Sequence, residues 1–123
     1  MARVTGIGGV FFRSPDPAAT VAWYEKHLGV VPEDGHPSAT MTWLGGETTV
    51  WAPFEPDTDY FGDPDQVFMV NFRVDDLDAM LAQLRVAGIE TVGVPERNDY
   101  GYFGWAIDCD GRRVELWEPP VGS

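Results

Sequence analysis

Apolar positions along the chain fall in short runs, and the spacing inside each run predicts its element. "GIGGVFFRS" (6–14) is brief, apolar and aromatic, which predicts a strand. In "SPDPAATVAWYEKHLGV", Val21, Tyr24 and Leu28 fall at helical spacing. Ser14 or Asp16 suits the helix cap, Pro17 the first turn and Gly29 the end. "ATMTWLGGETTVWAPF" (39–54) predicts two strands around Gly45-Gly46. "EPDTDYFGDPDQ" (55–66) is acidic and turn-rich, which predicts a connector. Then "VFMVNFRVDDLDAMLAQLRVAGIE" gives a strand, an Asp-rich helix start, an amphipathic helix and Gly88. "TVGVPE", "GYFGWAIDCDG" and "RRVELWEP" predict three closing strands.

The second half repeats the first. Setting 9–22 against 69–82 aligns Val10 with Val70, Phe12 with Phe72, Arg13 with Arg73 and Asp16 with Asp76. Ala19 and Ala22 fall on Ala79 and Ala82, and deleting one residue brings Gly29 onto Gly88. The order of elements predicts a duplicated β-α-β-β-β unit, hence an α+β fold. Within one domain, 1–123, the modules are 4–54 and 67–119, with 55–66 as an acidic linker.

Alternation sorts each strand into two faces. Phe68, Val70, Phe72 and Val74 share a face suited to helix packing, opposite Met69, Asn71 and Arg73. Val10 and Phe12 take the helix side, opposite Gly9, Phe11 and Arg13. Val114 and Leu116 do the same, opposite Glu115 and Trp117. A carboxylate therefore stands inside an apolar strand, where it needs a partner: a metal, a cation or a ligand.

Composition narrows the partners. At 123 residues one domain is expected, and 44% apolar residues suffice for a core. A net charge of −12 repels phosphate backbones, which argues against nucleic acid and favours cationic ligands. A single cysteine, Cys109, excludes an intrachain disulfide and a multi-cysteine metal site. No apolar run reaches membrane-spanning length, and "MARVTGIGG" carries no leader pattern, so a cytoplasmic protein without a membrane partner is expected. "DTDYFG" has a glycine at the sixth place of a calcium loop, but Phe68 stands where the bidentate Glu belongs. Cys109 has no histidine near it in sequence to activate it. "GIGG" is no dinucleotide fingerprint.

"FFRSPDPAATVAWYEKHLGV" and "DCDGRRVELWEP" resemble the vicinal oxygen chelate superfamily, which includes glyoxalase I, extradiol dioxygenases, and fosfomycin- and bleomycin-resistance proteins. The resemblance covers about 5–119 and implies a curved, eight-stranded mixed sheet around a cleft. It also implies a homodimer. Metalloenzymes of this superfamily draw metal ligands from four strand positions. These fall here on Gly9, on Trp51 (or Ala52 if the register slips by one), on Met69 and on Glu115. Only Glu115 is a hard ligand, so no metal and no cofactor are expected. His27 belongs to a helix end, and His36 to a loop, either as an exposed histidine or folded over the cleft as a partner of Glu115 in a rearranged metal site.

The cleft lining implied is Phe11, Trp51, Met69, Asn71, Tyr102, Trp105 and Trp117, with Trp43 and Tyr60 as further candidates. Arg13 and Arg73, equivalent in the two repeats, suit recognition of a carboxylate or phosphate at its mouth. Two functions stay open. One is metal-independent binding of a planar or aromatic small molecule, as in bleomycin-resistance proteins. The other is a lyase, isomerase or dioxygenase, with a rearranged metal site or with Glu115 as a general base of raised pKa.

Overall fold

A computed structural model describes residues 1–121. The elements in order are β1 (Val4–Arg13), α1 (Pro17–Leu28), β2 (Ala39–Thr42), β3 (Thr48–Phe54), β4 (Phe68–Val74), α2 (Leu77–Val86), β5 (Thr91–Asn98), β6 (Gly101–Ile107) and β7 (Arg113–Glu118). Among the described residues, seven strands hydrogen-bond into one mixed sheet in the order β2-β3-β1-β4-β7-β6-β5, which is open at β2 and β5. The fold is the α+β one expected, with seven strands where the repeat implied eight. β4, β7, β6 and β5 form the complete set, whereas the first half supplies only β1, β3 and β2. The missing strand would be the counterpart of β5, in "VVPEDGHPS" (30–38). Pro32 and Pro37 cannot donate to a ladder, and the stretch closes a turn instead, with Glu33 N bonded to Ser38 O at 2.8 Å.

The chain divides into two compact units, Gly9–Met69 and Met1–Gly8 with the residues from Val70 onward, so β1 and β4 each contribute to both. In the first of these, Asp16 caps α1 by accepting from Ala19 N at 3.1 Å. Pro17 opens the helix, and Gly29 closes it at φ 68°, a left-handed angle that suits glycine. The Tyr24 ring lies 4.5 Å from Trp51, and Phe12 lies 5.5 Å from Trp51. Trp51 therefore faces α1, which corrects its expected place on the opposite side. Ala52 takes that opposite side, paired in register with Phe11.

The stretch 55–66 is more than a linker. Irregular backbone leaves carbonyls that need donors, and Arg13 supplies them. Its Nε donates to Gln66 O, Nη1 to Pro56 O and Thr58 O, and Nη2 to Asp63 O, at 2.7–3.2 Å. The guanidinium carbon also sits 5.1 Å from the centre of the Phe61 ring. Phe61 is fully buried and meets Phe54 at 5.2 Å, while Tyr60 stacks on Phe54 at 5.6 Å. Phe11 joins this cluster through Phe54 at 5.3 Å.

In the other unit, Asp76 caps α2 by accepting from Ala79 N at 3.0 Å. Leu77, Met80 and Leu81 of α2 form the core with Ala2, Val74, Ala106 and Leu116. Burial of each large aliphatic side chain there stabilises by about 1.5–3 kcal/mol. Gly104 lets α2 come close to β6, since a Cβ there would stand 3.2 Å from Leu81. β4 and β7 run parallel with Asn71 opposite Glu115, and β6 and β7 run antiparallel with Trp105 opposite Glu115.

Candidate functional site

The face of β4, β7 and β6 turned away from α2 carries the polar chemistry. Register sets Asn71, Glu115 and Trp105 side by side across three neighbouring strands. Asn71 Nδ2 donates to Glu115 Oε1 at 2.7 Å, and Trp105 Nε1 donates to Glu115 Oε2 at 3.1 Å. Glu115 and Asn71 are each only 2% exposed. An ion in such a place loses several kcal/mol of solvation, and the two N–H donors offset part of that. Next along the face, the Arg73 guanidinium lies 4.9 Å from the Trp117 ring centre. Phe103 stacks with Trp117, their ring centroids 6.1 Å apart and planes within 9°. Trp117 Nε1 is anchored to Tyr100 O at 2.8 Å.

The assignments made from sequence fare unevenly. Asn71, Arg73, Glu115 and Trp117 share the face that alternation gave them, and Trp105 joins them. Tyr102 does not. It packs with the α2 core, its hydroxyl donates to Asp78 at 2.7 Å, and Arg97 lies 3.9 Å over its ring. The hydrogen bond to Asp78 chiefly holds its phenol above the ordinary range, with burial and the Asp78 charge adding and Arg97 opposing. Period two places Tyr102 and Trp105, three residues apart, on opposite faces. The same rule puts Phe103 with Trp105, and that residue was missed.

Arg13 is a second correction. It braces the 55–66 stretch in place of standing at a cleft mouth. Gly8 is a third: it borders Asn71 and Trp117, whereas a Cβ on Gly9 would meet Val50 and Phe11. Phe11 belongs to the Phe54 cluster. Met69 is buried. Trp43 is exposed, with its Nε1 donating to Thr49 Oγ1 at 2.6 Å. His27 ends α1 beside Trp23, and His36 sits in an exposed turn. Cys109 is exposed at the β6–β7 turn.

Residues 6–116 match the Glyoxalase/Bleomycin resistance protein/Dioxygenase superfamily. The chain belongs to this superfamily. Among solved structures it is similar to methylmalonyl-CoA epimerase from Mycobacterium tuberculosis, at 25% identity and TM-score 0.69, covering 95% of this chain and 89% of that one. A Streptomyces coelicolor methylmalonyl-CoA epimerase variant in complex with 2-nitronate-propionyl-CoA gives 22% and TM-score 0.74, covering 97% and 100%. A structure described as NAD-dependent benzaldehyde dehydrogenase from Legionella pneumophila gives 19% and TM-score 0.61, covering 91% and 98%. The last two likenesses show the fold. No curated protein matches the chain.

A resident metal of the superfamily's kind does not fit these donors. Gly9, Trp51 and Met69 offer no hard ligand. Glu115 already accepts a hydrogen bond at each oxygen. Among the described residues, no three His, Cys, Asp or Glu side chains are grouped to hold an ion. No helix among them is long and apolar enough to cross a membrane.

Proposed function

We propose that this superfamily member is a metal-independent small-molecule-binding protein, taking a planar or aromatic ligand against Trp105, Trp117 and Phe103. The observation that carries the reading is the state of Glu115. The one hard-ligand side chain left at the superfamily's metal positions is buried and held by two neutral N–H donors. Flat aromatic surface beside it supplies large contact area at low entropic cost. In this reading the protein acts in the cytoplasm as a homodimer, and sedimentation as a monomer at micromolar concentration would count against the dimer.

Elemental analysis of purified protein tests the metal-independent part. A stoichiometric transition metal that is lost in Glu115→Ala would overturn it. Thermal-shift and tryptophan-fluorescence screening with aromatic and cationic compounds tests the binding part, and silence across a broad panel would sink it.

A second reading is favoured by the likeness to the M. tuberculosis epimerase over 95% of this chain. It is a proton-transfer enzyme acting on an acyl thioester, with Glu115 as base. Deuterium uptake from D2O at the α-carbon of methylmalonyl-CoA, abolished in Glu115→Gln, would establish it. Glu115 would then have to release the Asn71 or the Trp105 N–H to reach the substrate.

A further inference from the structure

Asn71 carries an unpaired atom. Its Nδ2 is committed to Glu115, and its Oδ1 is a buried acceptor with no hydrogen-bond partner among the described residues. The orientation of the amide is fixed by its neighbour. Turning it over would set Oδ1 against a carboxylate oxygen, and both Glu115 oxygens already act as acceptors. Oδ1 therefore points to the other side, over Gly8, into the space where any other residue would place its Cβ. A buried polar atom without a partner is costly, and native structures contain few of them.

We infer that Asn71 Oδ1 is the recognition point for an N–H or O–H donor on the ligand. The inference rests on the binding function proposed above and names the ligand's chemistry. Two acceptors stand here side by side, Asn71 Oδ1 and the Glu115 carboxylate, while the Arg73 guanidinium on the same face lies over the Trp117 ring. Such a point favours a donor over an acceptor, because an acceptor would leave Oδ1 unsatisfied. Aromatic walls define the rest. A Cβ on Gly8 would stand 2.7 Å from the Trp117 ring, so this ring borders the same space. A planar heteroaromatic N–H satisfies the acceptor and lays its ring along tryptophan. Since Asn71 is 2% exposed, the ligand enters by displacing side chains, and association is slower than for an open pocket.

The test uses two isosteric probes, indole, which carries an N–H, and benzofuran, which has none. Both are titrated into ¹⁵N-labelled protein, with the Asn71 side-chain amide and the Trp105 indole N–H as reporters. Indole is expected to bind roughly tenfold tighter and to shift the Asn71 amide. In Asn71→Leu the preference is expected to fall below about twofold. Equal binding of the two probes overturns the inference and leaves the binding function standing. Failure of both probes to bind at millimolar concentration overturns the inference, and the broad compound panel then decides the binding function. Preference retained in Asn71→Leu also overturns it, since another acceptor would then be reading the donor. Should Asn71→Leu not fold, the wild-type preference and the Asn71 shift decide: both present supports the inference, either absent overturns it.

Discussion

Replacing Glu115 by leucine separates a structural carboxylate from one held in reserve for chemistry. Leucine nearly matches the glutamate in volume, so the cavity term is small. Two buried donors, Asn71 Nδ2 and Trp105 Nε1, lose their acceptor. Each stranded donor costs about 1–3 kcal/mol, so the gross loss is about 2–6 kcal/mol. Relief from burying an ion offsets part of this, and the net expectation is about 2–4 kcal/mol of lost stability. The double variant Asn71→Leu with Glu115→Leu removes donor and acceptor together. It should recover about 1–2 kcal/mol relative to the sum of the two single changes, since replacing both partners by apolar groups is far milder than removing one. The assay is equilibrium urea unfolding of all four proteins, compared at constant m-value. Glu115→Leu as stable as the wild type, or a coupling energy indistinguishable from zero, would refute the account of Glu115 as a locked acceptor. A stabilised Glu115→Leu would point to a residue retained for activity at the expense of stability.

Arg13→Met removes four bonds to the backbone of 55–66, two of them part-buried. It should cost about 2–3 kcal/mol and open Tyr60 and Phe61 to chymotrypsin, and unchanged digestion would contradict the bracing role. Gly8→Ala drives a methyl into the Trp117 ring and the Asn71 amide. A loss of about 1–3 kcal/mol is expected in chemical denaturation, with a perturbed Asn71 side-chain amide signal. Tyr102 should titrate above the ordinary value of about 10 in ultraviolet absorbance, because the bond to Asp78 favours its neutral form. Its folded pKa is raised, so its contribution is present below pH ~10 and lost as pH rises through the higher folded value. Tyr102→Phe should flatten that alkaline loss. Asp108 is held below the usual carboxylate range, first by the Arg112 backbone N–H. Its contribution is therefore present above pH ~3.9 and fades as pH falls through the depressed folded value, which NMR titration of the carboxyl would show.

What was legible in the sequence was mostly local or periodic. Both helix caps follow from Asp16 and Asp76, whose side chains bond three residues ahead. The faces of β4 and β7 follow from strict alternation around Asn71 and Glu115. The missing strand was signalled by Pro32 and Pro37, although the repeat pulled the expectation the other way. Other features depend on partners distant in the chain. "TTVWAPF" has apolar residues on both sides, so nothing in it says that Trp51 turns to Tyr24 on α1. Arg13 matched Arg73 as a repeat position, yet one braces a loop and the other lies over Trp117. The equivalence ends because 55–66 follows only the first module. Asn71 was placed on the right face, but its bond to Glu115 depends on the parallel register of β4 and β7, which side-chain pattern alone does not set.

The persistence of a carboxylate among apolar neighbours has a physical explanation in this arrangement. Change of Glu115 alone strands two donors. Change of Asn71 alone removes one donor from a buried anion, and change of Trp105 alone removes the other. Loss of Glu115 or of Trp105 alone starts uphill by at least about 1 kcal/mol, and loss of Asn71 removes its bond to Glu115 while relieving its own unpaired Oδ1, although an apolar triad of the same volume would be about as stable as the polar one. The three residues are thus locked to one another irrespective of any metal, and Glu115 by itself is poor evidence for metal chemistry in a chain of this fold. The informative atom is the one outside the lock. Asn71 Oδ1 gains nothing from Glu115 or Trp105, so its cost is left for something other than the triad to relieve.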